Sequence, residues 1–74
     1  MSEKDVTKED KLGIIASHIR NIKVNKFNLE LTILEEEAST SPNEADITSI
    51  NAQIAVYNSK MSALEAKYTA VQAE

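Results

Sequence analysis

The sequence predicts an all-α protein, an antiparallel two-helix coiled-coil hairpin that is completed by oligomerisation or by docking to other protein. Hydrophobic residues recur at alternating steps of three and four along most of the chain, which is the spacing of one face of a helix. The strongest break in this pattern is one cluster of turn-forming residues at about 39–43. The composition agrees, because 74 residues with one Gly and one Pro favour long helices and suffice for one small domain.

The second helix is expected over about residues 42–72. Ser41 is predicted to be its N-cap and Pro42 its first residue, since proline has no N–H to lose there and its φ is already helical. Glu44 stands where a capping box needs a carboxylate. Asp46 adds negative charge near the same positive helix end.

The first helix is expected over about residues 8–39, after a flexible N-terminal segment, residues 1–7. Thr7, followed three residues later by Asp10, is a weaker start signal, because aspartate is shorter than the glutamate of the usual capping box. From there to the turn the chain contains no proline and a single glycine. Residues 8–74 are therefore predicted to form a single helical hairpin.

Each predicted helix carries one apolar seam of the kind that joins the helices of a coiled coil. Folding the chain at a mirror point between Ser41 and Pro42 places every seam position of one helix opposite a seam position of the other. The predicted pairs are Leu12 with Val71, Ile15 with Tyr68, Ile19 with Leu64, Ile22 with Met61, Lys26 with Tyr57, Leu29 with Ile54, Ile33 with Ile50, and Glu36 with Ile47. The turn indicated by capping residues is thus also the symmetry centre of the hydrophobic pattern.

Two polar residues interrupt the seam. The stem of Lys26 is expected to lie over Tyr57 while its ammonium group reaches water. The alternative is that this single polar position fixes the register of the pairing. Glu36 lies beside the turn, where the seam is open, and no special role is expected for it.

A second apolar stripe follows the first helix, more than 100° around from the seam. The second helix carries, away from its seam, an uncharged surface of small residues that permits close approach of another helix. Alanines that merely favour helix and tolerate water are the alternative for that surface. Because each helix can cover only one face of the other, both surfaces are predicted to bind protein, by self-association or in a larger assembly. The predicted partner-binding residues are Val24, Phe27, Leu31, Leu34, Ala38, Ala52, Val56 and Ala63.

The sequence favours neither enzyme nor cofactor chemistry. It has no cysteine and one histidine, His18, so a thiolate centre or a two-histidine metal site cannot form within one chain. No motif sets a base beside a serine or threonine, and no glycine-rich phosphate loop is present. We therefore predict no catalytic, cofactor-binding or metal-binding residue and no small-molecule substrate.

Charge argues against two further classes of partner. Twelve acidic and eight basic residues give a formal net charge of −4, which a phosphate backbone would repel, so no nucleic acid is expected. The lysines are scattered among acids rather than gathered on one amphipathic face, so no membrane partner is expected. No signal peptide or membrane span is predicted, the chain is expected to be soluble, and its compartment is left open.

The turn end of the hairpin is predicted to be an acidic tip. Residues 35–37 are all glutamate, and folding brings them near Glu44 and Asp46. A solvated tip is expected. Docking to a basic partner, or weak binding of a divalent cation by several carboxylates, is the alternative.

The predicted first helix has two characteristic stretches. It contains Leu12-Gly13-Ile14-Ile15-Ala16-Ser17-His18-Ile19-Arg20 and ends in Glu35-Glu36-Glu37-Ala38-Ser39. With the heptad helix after Pro42, this resembles the short helical-hairpin proteins encoded by tailed bacteriophages, in length, Met start and seam pattern over most of the chain. The resemblance implies a small structural component of a virus particle or an assembly factor.

Two functions are therefore expected. The first is a non-enzymatic structural or assembly module that acts through helix packing. The alternative is a small adaptor or regulatory protein that binds one partner through the outer apolar stripe of the first helix.

Overall fold

The protein is a hairpin of two antiparallel helices in a computed structural model that describes residues 6–74. Helix α1 spans Lys8–Glu37 and helix α2 spans Glu44–Gln72. The two helices pack against each other, which confirms the predicted all-α helical hairpin. Of the predicted flexible segment 1–7, residues 1–5 lie outside the described residues.

Helix α1 begins with the capping box that the sequence indicated. The Asp10 N–H donates to Thr7 Oγ1 at 3.1 Å, and the Thr7 N–H donates to Asp10 Oδ2 at 3.2 Å. Aspartate is therefore long enough to close the box here. Two backbone donors that have no partner within the helix are satisfied by this exchange.

Helix α2 begins two residues later than predicted, and the prediction of Ser41 as its N-cap is wrong. Asn43 is the N-cap, and its Oδ1 accepts a hydrogen bond from the Asp46 N–H at 3.1 Å. Pro42 consequently precedes the helix rather than opening it. Helix α1 ends at Glu37, also two residues from the expected boundary, so the connection is longer than the turn predicted at 39–43.

A side chain from α1 explains why the cap lies at Asn43. The Asn43 N–H donates to Glu36 Oε2 at 2.8 Å, so a carboxylate from the end of α1 takes the contact that a capping box would assign to the side chain of Asp46. The position also suits its charge, since the N-terminus of α2 attracts an anion whereas the C-terminus of α1 repels one. The expectation that Glu36 has no special role is therefore wrong.

We predict that Glu36→Ala lowers the free energy of unfolding by about 1 kcal/mol, because it removes a hydrogen bond to a charged acceptor at the turn. Urea unfolding followed by circular dichroism measures the change. Glu35→Ala is the matched control, since it removes the same charge from the same helical turn where the side chain is exposed. Equal effects of the two substitutions would mean that the bond to Asn43 contributes no stability.

The core of the hairpin is the predicted seam. The described residues that are buried are Ile15, Ile47 and Val71, and of these Val71 is fully buried. The half-buried residues of the seam are Leu12, Ile19, Ile22, Lys26, Leu29, Ile33, Glu36, Ile50, Ile54, Tyr57, Met61, Leu64 and Tyr68. Within residues 6–74, the remaining side chains that are not exposed belong to Lys8 and Lys11. Every predicted seam position is thus confirmed as part of the interface between the helices.

The end of the hairpin opposite the turn is joined by polar contacts. Lys11 Nζ lies 3.3 Å from Glu74 Oε1, and Lys8 Nζ donates to the Glu74 carbonyl oxygen at 3.5 Å. Both groups of the ion pair are largely solvated, so each contact contributes little to stability. These contacts hold Glu74, which follows α2, beside the first turn of α1, but they add little to the stability of the hairpin.

The molecule is a rod. Its extents are 60 × 16 × 15 Å and its radius of gyration is 17.2 Å, against about 11 Å for a compact domain of this length. It exposes 5260 Å², whereas a compact monomer of its mass would expose about 4500 Å². A single seam therefore leaves more surface in water than a globular fold of the same size.

We predict that Gly13→Ala raises the free energy of unfolding by about 0.5–1 kcal/mol. Gly13 lies inside α1, has no positive φ, and a methyl group added there meets no atom within 4 Å, so only the gain in helix propensity remains. Thermal unfolding measures the effect. Ala16→Gly, at an exposed position of the same helix, is the reverse control and should cost about as much.

Candidate protein-interaction surface

The outer stripe of α1, which we define as Val24, Phe27, Leu31 and Leu34, lies on the side of the helix away from α2. These side chains are 44%, 58%, 39% and 61% exposed. The helical period places them one above the other, because residues three and four apart share a face. Four large apolar side chains therefore stand side by side in water over about three turns.

Ala38, the fifth predicted partner-binding residue of the first helix, lies just beyond the helix. It is the C-cap of α1, and its N–H donates to the Leu34 carbonyl oxygen at 3.1 Å. Its side chain is exposed at the turn end of the outer stripe. It continues the stripe as a small residue.

The three predicted residues of α2 belong to a different surface. Ala52, Val56 and Ala63 are exposed, and Val56 is the one large apolar side chain among them, at 50% exposure. The sides of two paired helices that lie away from the seam are directed away from each other. The structure therefore does not bring the eight predicted residues together, and it presents an apolar face on α1 and a small-residue face on α2.

Open grooves run along both edges of the seam. One is lined by Ala16, Ile19, Arg20, Lys23, Glu65, Tyr68 and Thr69. The other is lined by His18, Ile22, Tyr57, Lys60, Ala63 and Leu64. Ala63 therefore borders a seam groove as well as lying on the helix face that carries Ala52 and Val56. Both grooves are shallow and open to solvent, so neither encloses a reacting group away from water.

Charged side chains flank the outer stripe, and the sequence suggested a role for two of them, Glu35 and Glu37, as part of the acidic tip. Arg20 and Lys23 lie at its N-terminal end, and Glu35 and Glu37 lie at its C-terminal end. Among residues 6–74 the ion pair within 4.0 Å is that of Lys11 and Glu74, so these flanking charges are not paired with one another. Their positions relative to the stripe were readable from the same spacing of three and four.

Two exposed apolar residues were also missed, namely Val6, which is 49% exposed just before α1, and Ile14. Ile14 is 51% exposed on α1, near Gly13 and far from the outer stripe. Ile14 stands next to Ile15 in the sequence. The spacing of three and four assigns Ile15 to the seam and leaves Ile14 unassigned. A lone exposed isoleucine is common on protein surfaces, so it does not define a site.

The acidic tip shows no grouping suited to an ion. Across residues 6–74, no three His, Cys, Asp or Glu side chains are placed to hold a metal together. One of the tip carboxylates, that of Glu36, is instead bonded to the Asn43 N–H.

Within residues 6–74, neither helix has the length and hydrophobicity that a membrane-spanning helix needs.

Comparison of the chain with protein-family models, with curated proteins and with solved structures yields no match. The function of the chain is therefore inferred from the surfaces of the hairpin itself.

Proposed function

We propose that this chain is a non-enzymatic structural or assembly module that works by packing its outer helix faces against other protein. The observation that supports the proposal is the outer stripe of α1, four adjacent large apolar side chains exposed on a rod with three buried residues in its described part. Contiguous apolar patches of this kind mark interaction surfaces on proteins.

The energy at stake is comparable with the stability of the hairpin. Full burial of a Val, Leu or Phe side chain contributes about 1.5–3 kcal/mol, so covering four half-exposed ones gains roughly 3–6 kcal/mol before association costs. Small domains have total stabilities of about 5–15 kcal/mol. A partner on the outer stripe would therefore stabilise the helices substantially as well as bind them.

The proposed biological setting is a virus particle or its assembly. The resemblance to the helical-hairpin proteins of tailed bacteriophages supports a minor component of a virus particle, or a factor in its assembly. A rod 60 Å long with one interaction face on each helix suits a building block used in several copies. In that role the outer faces, rather than any pocket, determine what the protein does.

The alternative function is a small adaptor or regulator that binds one partner through the outer stripe. The confinement of the stripe to the turn-proximal half of α1 favours it, since a patch of about three turns matches one amphipathic helix of a partner. The α2 face would then be solvated surface.

We predict that Phe27→Glu converts a self-associated chain into a monomer with reduced helicity, because a buried carboxylate opposes packing of the stripe. Sedimentation equilibrium gives the assembly state, and circular dichroism over the same concentrations gives the helicity. Asn25→Glu is the matched control, since it adds the same charge two residues away at an exposed position off the stripe.

The outcomes separate the two functions. A wild-type chain whose helicity falls on dilution supports the assembly module. A stably helical monomer, unaffected by either substitution, contradicts it and supports the adaptor.

A further inference from the structure

Resting on the proposed function, we infer that the outer stripe of α1 binds the same stripe of a second copy of this chain, antiparallel and related by a two-fold axis. The stripe is complementary to itself in that orientation, in size and in charge. An isologous interface of this kind is the commonest form of protein dimer.

The apolar residues form four matched layers. With the two α1 helices antiparallel, Val24 lies opposite Leu34 of the second copy and Phe27 opposite Leu31, and the two-fold axis repeats both layers. Each layer joins one larger and one smaller side chain, as packing between helices requires. Arg20 then lies opposite Ala38 of the second copy, where a small residue leaves room for its stem.

The flanking charges favour the same register. Lys23 lies beside Glu37 of the second copy, and the two-fold axis makes this ion pair twice. Charges at such flanking positions select the partner and orientation of coiled coils. Glu30 meets its own counterpart at the axis, which is the one unfavourable charge contact of this register.

A parallel pairing of the two stripes is much poorer. It would place Arg20 opposite Arg20 of the second copy, within the row of apolar layers. It would also place Glu30 beside Glu35 of the second copy, twice, without any pair of opposite charges. Like charges in contact across an interface are costly. Side-chain packing alone permits both orientations, and the charges therefore favour the antiparallel one.

The antiparallel register staggers the two rods. The outer stripe lies toward the turn, so the hairpins overlap by their turn-proximal halves and the turn of each lies beside Ala16 and Ser17 of the other. Those residues are small and exposed, so the turn can approach. Because the rods overlap over only half of their length, the dimer buries less surface area than a standard protein–protein interface. We therefore expect a dissociation constant on the order of micromolar.

Disulfide trapping tests the orientation directly, and the chain has no cysteine of its own. Asn28 lies at the two-fold axis, so Asn28→Cys should cross-link to itself under mild oxidation. Arg20→Cys alone should not, whereas an equimolar mixture of Arg20→Cys and Ala38→Cys should give a mixed dimer. The experiment is run at several hundred micromolar, and circular dichroism verifies that each variant is helical.

Charge reversal supplies an independent measurement. Lys23→Glu should weaken the dimer about tenfold in sedimentation equilibrium, because two ion pairs become repulsive at once. Adding Glu37→Lys to it should restore the wild-type constant. Glu30→Gln should tighten the dimer, since it removes the one like-charge contact at the axis.

Several results would overturn the inference. Self-cross-linking of Arg20→Cys would show the parallel pairing. A chain that associates without any of these cross-links would use the α2 face, which overturns the antiparallel pair and leaves the proposed assembly function standing. A wild-type chain that stays monomeric at several hundred micromolar overturns both and leaves the adaptor.

Discussion

The seam between α1 and α2 is the interaction on which the rest of this structure depends. A rod of two helices has one internal surface, and each side chain along it is either in that surface or in water. Burial at both ends of the rod, by Ile15 and Val71 at the open end and Ile47 at the turn, holds the helices together over their length. A slip in register would separate these residues from their partners, so the turn and the seam have to agree. The exposed faces follow from the same constraint, because no second layer exists to cover them.

The helices and the seam were predictable because their signals are local and repeated. The seam has sixteen positions that follow one spacing, so a single polar residue such as Lys26 does not obscure the pattern. The start of α2 was not predictable in the same way, since Ser41 and Asn43 are both good capping residues by type. The choice between them depends on Glu36, which the fold brings to within 2.8 Å of the Asn43 N–H. Cap selection was therefore decided by tertiary structure, which a propensity argument does not contain.

The candidate surface was predictable in part. Exposure of Phe27 and its neighbours follows from periodicity, because a stripe far from the seam cannot be covered by α2. Ala52, Val56 and Ala63 lie on a separate face of α2, as the sequence indicated, since the outer faces of two paired helices point apart. Residue type alone signals that a face lacks charge. It does not signal which faces are continuous with each other, and that property decides how many partners the rod can have.

Folding and binding are linked in a molecule of this design. The Thr7 cap and the bond from the Asn43 N–H to Glu36 set the helix boundaries and the turn by contacts within one chain. In the proposed function, the outer stripe is the surface that distinguishes one partner from another. A partner that binds only the folded hairpin stabilises it by mass action, so the helical content of the chain depends on the partner concentration. Because the seam alone leaves the rod with a large exposed area, contacts with the proposed partner would stabilise the helices as well as form the assembly.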